Sequence, residues 1–172
     1  MPVRAGRPRR DRYSIRVTND AERYELPVQY TSLPIGEFAF PGELRDRLVA
    51  AILAGEKSTT SCLHVEFELE GQEPPSVGSR EVVVDSDGRR VAVIEMTEIR
   101  VLPLAEVDHQ HALDEGEGYS GVEDWRRGHE EFWRSAEYRE AIGKPEFTVD
   151  DSTLVVAQRF CLIEDLRGGY SR

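Results

Sequence analysis

Hydrophobic positions along the chain recur with two periods, and each period marks a different kind of element. Leu44, Leu48 and Ile52 fall at four-residue steps with Val49 and Leu53 beside them, which predicts a helix from about Glu43 to Ala54. Pro41-Gly42 opens it, and Gly55 follows the last periodic residue, where a left-handed cap is expected. Leu63, Val65, Phe67 and Leu69 then alternate, predicting a strand that Pro74-Pro75 ends. Residues 81–84 read as a short strand, and Asp87-Gly88 signals a tight turn. The run VAVIEM at 91–96 is apolar almost throughout, as in a strand covered on both faces, and continues to Leu102.

Residues 104–113 suggest a short helix. Ser120 and Glu123 stand at capping-box spacing, and Trp125, His129, Phe132, Trp133 and Ala136 share one helical face before Gly143 and Pro145. Residues 154–163, rich in β-branched and aromatic types, predict a last strand. Strands dispersed among two or three helices, with no repeat and no linker, point to one α+β domain. A mixed sheet or small barrel with helices packed at its ends fits that order.

Composition narrows the function classes. The chain has 172 residues, 39% hydrophobic and 32% charged, ordinary values for a globular domain with a self-sufficient core. No apolar run approaches the roughly 20 residues of a membrane span, and no apolar stretch of a secretory signal follows the charged N-terminus. Cys62 and Cys161, the two cysteines, are too far apart to suggest a disulfide framework. A reduced pair and a cytoplasmic protein are expected.

The net charge of −11 disfavours partners held by non-specific phosphate contacts, and no DNA partner is expected. Basic residues concentrate only at Arg4, Arg7, Arg9, Arg10, Arg12 and Arg16. Residues 1–20 therefore read as a disordered Arg-rich arm, either a solubilising tail or a nucleic-acid contact. Residues 21–165 form the domain and 166–172 a frayed tail. A small neutral ligand suits the remaining acidic surface better than a long polyanion.

Two residues stand out as candidates for chemistry. Lys57 and Lys144 are the only lysines in a chain that otherwise uses arginine. An ammonium group can lose its proton when desolvated, whereas a guanidinium cannot. Lys57 lies in GEKSTTS with Thr60 three residues on; a turn would bring them together as base and nucleophile. The alternative is a polar helix-to-strand turn carrying a surface lysine. Glu95 interrupts VAVIEM, where a carboxylate must face solvent or line a pocket, as a general acid or as the partner of Lys57.

Other polar motifs are less specific. The turn Asp114-Glu115-Gly116-Glu117-Gly118-Tyr119 could offer oxygen ligands to a divalent cation, or could be a solvated turn before a helix N-terminus. His109 and His111, two apart on a helix, diverge and cannot share an ion. No cofactor is called for, and no metal site is assigned. His129, on the apolar stripe, reads as a core histidine or as a pocket wall.

Four segments together carry a family resemblance: LVAAILAGEKSTTS, VAVIEMTEIRVLPL, EGEGYS and WRRGHEEFW. In this order they resemble the ASCH domain family, a branch of the PUA-like β-barrels, over residues 36–163. The resemblance implies a small mixed PUA-like β-barrel flanked by helices, with a cleft between the segment after the first helix and the central strand. It also implies a link to RNA. One group of relatives comprises metal-activated ribonucleases, and a shorter group removes the acetyl group from N4-acetylcytidine. That shorter group works with a lysine, a threonine three residues later and a glutamate on the central strand; carried over, these fall on Lys57, Thr60 and Glu95.

Thr59, Ser61, Glu117, Trp125 and His129 are the accompanying substrate-binding candidates. Many relatives have aspartate in place of Tyr119 and serine in place of Cys62, and the missing acid weakens a metal site at the turn. RNA or a modified nucleoside is the expected partner. A hydrolase and a non-catalytic RNA, nucleotide or metabolite binder both remain open.

Overall fold

The structure is a computed structural model that describes residues 26–170; the Arg-rich segment 1–20 lies outside the described residues. Strands β1 (Ile35–Gly36), β2 (Thr59–Leu63), β3 (Arg80–Val84), β4 (Arg90–Pro103) and β5 (Leu154–Asp165) form one sheet in the order β1-β3-β4-β5-β2. β1 runs parallel to β3, and the other neighbours are antiparallel. The sheet is therefore mixed, as expected, but it stays open. Its two edges, β1 and β2, do not pair, so the barrel inferred from the family resemblance is not closed. A two-residue β1 is too short to carry the ladder around.

Helix α1 (Glu43–Ala54) ends as its sequence predicts, with Gly55 at φ 76° and its N–H on the last-turn carbonyls of Ala51 and Ile52. It packs Leu48, Val49 and Ile52 against Phe38, Met96 and Phe160. Just before it, Ala39 takes a positive φ of 58°, a cost for a residue with a Cβ. Arg45 offsets that cost: its buried guanidinium donates twice to the Ala39 carbonyl, at 2.7 and 3.2 Å, and once to Glu37 at 3.0 Å.

Five expectations need correction. The alternating run 63–69 is not a strand: β2 ends at Leu63 and helix α2 (His64–Glu70) follows. Of the four apolar residues only Leu63 and Phe67 are buried, at helical spacing, while Leu69 is exposed. Glu66 reaches back to accept from the Leu63 N–H at 3.1 Å, closing the first turn. Residues 104–113 divide into a 3-10 turn at Leu104–Glu106 and helix α3 (His109–Asp114), because Asp108 caps the second by accepting from His111 N at 2.8 Å.

The Ser120–Glu123 capping box does not form. Helix α4 (Val122–Trp133) starts after Gly121, so the acid in register is Asp124, which accepts from both Ser120 N and Oγ. The long second helix is also two helices. α5 (Ala136–Ala141) is capped by Ser135, whose Oγ accepts from Tyr138 N, and Ala136 leaves the α4 face. At the C-terminus Leu166, the first residue of the expected tail, is buried against Tyr30, Val82 and Val93.

The connection from α3 to α4 crosses the chain just before β2. Gly116, at φ 64°, sits so close that a Cβ there would lie 2.5 Å from the Glu56 carbonyl oxygen and 3.0 Å from Lys57 Cα. Gly118, at φ 87°, has nothing within 4 Å of the same position. Gly116→Ala therefore carries steric overlap besides backbone strain and is expected to lower the unfolding free energy by about 3 kcal/mol. Gly118→Ala pays only the strain, about 1 kcal/mol. Equal losses in urea melts of the two variants would show that the close approach is not enforced.

Candidate functional site

β4 and β5 place Met96 opposite Phe160, and β5 and β2 place Gln158 opposite Thr60. Because side chains alternate along a strand, Glu81, Met96, Gln158, Thr60 and Cys62 all project from one face of four adjacent strands. They floor a cavity of about 950 Å³. Phe38 and Leu48 wall it on the α1 side; His129, Phe132, Trp133 and Tyr138 wall it on the α4–α5 side. Ser61, Glu115, Glu117 and Tyr119 also line it, as do Glu37, Arg47 and Glu66.

A buried ion network stands at the edge of this cavity. Lys57 Nζ donates to the Glu115 carbonyl at 3.1 Å and to Glu117 Oε1 at 2.8 Å, and lies 4.0 Å from Glu115 Oε2. The side chains of Lys57 and Glu115 are each 1% exposed, so neither charge is screened by water. Glu115 Oε1 accepts from Ser61 Oγ at 2.7 Å, and its Oε2 lies 3.2 Å from His129 Nε2. Ser61 Oγ also contacts His111 Nε2 at 2.8 Å, and Thr59 Oγ1 donates to the His111 carbonyl at 2.8 Å.

These contacts set the protonation of the network. Burial by itself would raise the Glu115 pKa, but the charges of His129 and Lys57 and the hydrogen bonds from His111 and His129 hold it well below the carboxylate range. Burial works against charge on His129 too, yet Glu115 outweighs it and raises the imidazole above its ordinary value. His129 Nδ1 donates to the Trp125 carbonyl at 3.0 Å, which leaves Nε2 facing the carboxylate. Tyr119 is pushed upward, first by burial and then by the charges of Glu117 and Glu115.

The sequence candidates are only partly brought together. Thr60, Ser61, Glu117 and His129 line the cavity. Lys57, Thr59 and Trp125 lie behind its wall, each 2% exposed or less, with Trp125 stacked on His129 at 4.3 Å between ring centroids. Glu95 does not meet Lys57. It alternates with Ile94 and Met96, so it projects from the opposite face, where Arg80 directly across the ladder pairs with it at 2.7 Å.

Glu115, His111, Gln158 and Glu66 were missed as site residues. The signal for the first two was present in DHQH and EGEG, but those motifs raised the question of a metal instead. Glu115 and Glu117 direct their oxygens at Lys57, His129 and Ser61, while Asp114 pairs with Arg159 at 2.7 Å. The donor set of the turn is thus committed to protein partners and does not fit a divalent cation. Among the described residues, no other group of three or more His, Cys, Asp or Glu is arranged to hold one.

Comparison with known proteins agrees with this architecture. A family model described as ASCH domain matches residues 37–164, and the chain belongs to that family. An ASCH domain structure from Lactobacillus crispatus JV V101 superposes with a TM-score of 0.66 at 25% identity, covering 78% of this chain and 81% of that one. Protein EF3133 from Enterococcus faecalis V583, assigned to family model DUF984, gives a TM-score of 0.67 at 20% identity over 79% and 82% of the two chains, a likeness of fold alone. No curated protein matches the sequence. Among the described residues no helix is long and apolar enough to cross a membrane.

The His129–Glu115 pair makes stability depend on pH with a definite sign. A raised histidine contributes stability that is full below its unfolded value of 6.5 and is lost as pH rises through its folded value. A depressed carboxylate contributes above its unfolded value of 4.5 and loses that contribution as pH falls through its folded value. The unfolding free energy is therefore expected to decline as pH rises above the ordinary histidine value of 6.5 and through the raised folded value, and His129→Asn should flatten the decline. An unchanged slope in that variant, from urea melts across the range, would remove His129 as the group responsible.

Proposed function

We propose that this ASCH domain binds a single nucleoside, free or as an unpaired base of RNA, in the cavity on the Met96 face of the sheet. The cavity carries the reading. Its volume of about 950 Å³ lies in the range of small-molecule sites, and its walls combine aromatic rings with a few polar groups. Phe38, Phe132, Trp133 and Tyr138 supply the apolar and aromatic surface that a base needs once it leaves its stack. The charged lining is mostly carboxylate: Glu37, Glu66, Glu81, Glu115 and Glu117, against Arg47 and His129. Such a lining favours the donor-bearing edge of a base and disfavours burial of a phosphate, which would stay at the mouth.

A hydrolytic reading of the same site is favoured by one feature, the hydroxyls of Thr60 and Ser61 on a wall backed by Lys57 and Glu115. In that case the carboxylate partner of Lys57 is Glu115 or Glu117 rather than Glu95. The ammonium already donates to the Glu115 backbone carbonyl and to Glu117 Oε1, so it must give up one of those bonds and lose a proton before serving as base to Thr60.

Calorimetric titration with cytidine, N4-acetylcytidine, uridine, adenosine and guanosine tests the binding reading, with mass spectrometry of each mixture to detect conversion. Saturable binding of at least one nucleoside, with the corresponding 5′-triphosphate binding at least about ten-fold more weakly, is the expected result. No binding by any nucleoside would refute the proposal. Loss of the acetyl group from acetylcytidine would establish the hydrolytic reading.

A further inference from the structure

Gln158 is polar, 7% exposed and on the cavity floor, yet most of its hydrogen-bonding capacity is unused. Its Nε2 donates to Cys62 Sγ at 3.3 Å, a weak acceptor. That thiol is two residues along β2 from Thr60, the direct cross-strand partner of Gln158. Neither Gln158 Oε1 nor the Thr60 hydroxyl has a hydrogen-bond partner among the described residues. The Gln158 carbonyl opens on the cavity rather than on a protein donor, so its hydrogen-bonding capacity is available to whatever occupies that space. The sulfur fixes one end of the group, and the other end faces the space enclosed by Phe38, Met96 and His129.

We infer that Gln158, with Thr60 beside it, reads the hydrogen-bonding edge of the ligand. The inference rests on the nucleoside-binding reading above and names the residue that gives it specificity. With one N–H held by Cys62, Gln158 retains a carbonyl acceptor and a second N–H. That pair complements a planar ligand edge carrying an N–H donor next to a nitrogen or carbonyl acceptor. The donor–acceptor edges of nucleobases have this form, and a carboxamide can engage such an edge through two bonds at once. Thr60, on the neighbouring strand, adds a hydroxyl that can donate or accept. Aliphatic ligands of equal size lack the edge and leave the amide unmatched.

The site also predicts a selectivity that can be reversed. Gln158→Glu exchanges the amide's donor for a second acceptor while nearly preserving shape. Edges with adjacent donors, as on guanine N1–H and N2–H, should gain relative to cytosine, which presents one donor and one acceptor. Gln158→Leu removes both functions, and Thr60→Val removes the hydroxyl without changing volume.

Calorimetry with the same five nucleosides, on variants whose thermal unfolding confirms an intact fold, provides the test. Gln158→Leu is expected to weaken the best-bound nucleoside by about ten-fold or more, and Thr60→Val by a smaller factor. Gln158→Glu is expected to shift the guanosine-to-cytidine affinity ratio toward guanosine by about ten-fold. Wild-type affinity in both Gln158→Leu and Gln158→Glu, with nucleoside binding intact, would overturn this inference and leave the binding reading standing. If no nucleoside binds the wild-type protein, both fail. If Gln158→Leu does not fold, the Gln158→Glu affinity ratio decides, and an unchanged ratio overturns the assignment.

Discussion

One buried carboxylate organises the site. Glu115 has no contact with bulk water, and it retains its charge only because Lys57, His129, His111 and Ser61 surround it. Those partners come from the chain before β2, from α4, from α3 and from β2 itself, so satisfying one charge fixes the relative positions of four segments. Removing one member of such a group leaves an uncompensated charge away from water, which costs about 3–5 kcal/mol. The cavity wall is therefore pinned where it carries its buried charges. Gly116 permits this arrangement, because only a residue without a Cβ lets the Glu115 turn lie on the Glu56–Lys57 backbone.

The proposed nucleoside binding is compatible with an acidic chain in a family linked to RNA. A net charge of −11 repels a polyanion over most of the surface. The cavity does not reverse that field, since carboxylates dominate its lining. Its lining combines aromatic rings with acceptors, which the proposal assigns to a base, and Lys57 is turned inward as an internal counter-ion. Recognition by an inserted base needs few phosphate contacts, and the backbone of a bound strand would remain outside.

Much of the architecture was legible from sequence patterns. The four-residue steps of α1, its glycine cap and the apolar run of β4 give period and boundary independently, and the structure reproduces them. The segment 63–69 misled because its alternation is equally a helix with two buried residues four apart, a choice that Glu66 and Tyr138 settle through tertiary contacts. The site was harder to read. Lys57 stands out in the sequence as one of two lysines and is buried in the structure, but its partners lie 58 and 60 residues away, and no local period links them. Glu95 attracted attention as a charge in an apolar strand. Its immediate neighbours Ile94 and Met96 face the core, so strict alternation already sends it to the other side. Gln158 gave no signal, since one polar residue in a final strand is ordinary until the space in front of it is known.

The central claim is that Lys57 and Glu115 hold the cavity wall by direct charge coupling rather than as separate packing residues. A double-mutant cycle with Lys57→Met and Glu115→Gln, read by urea unfolding, tests it most directly. Each single variant should lose about 3 kcal/mol, and the double variant should recover at least about 2 kcal/mol relative to the sum, because the two buried charges, 4.0 Å apart, are then removed together rather than one being left facing a neutral group. Losses that add to within about 0.5 kcal/mol would contradict the account.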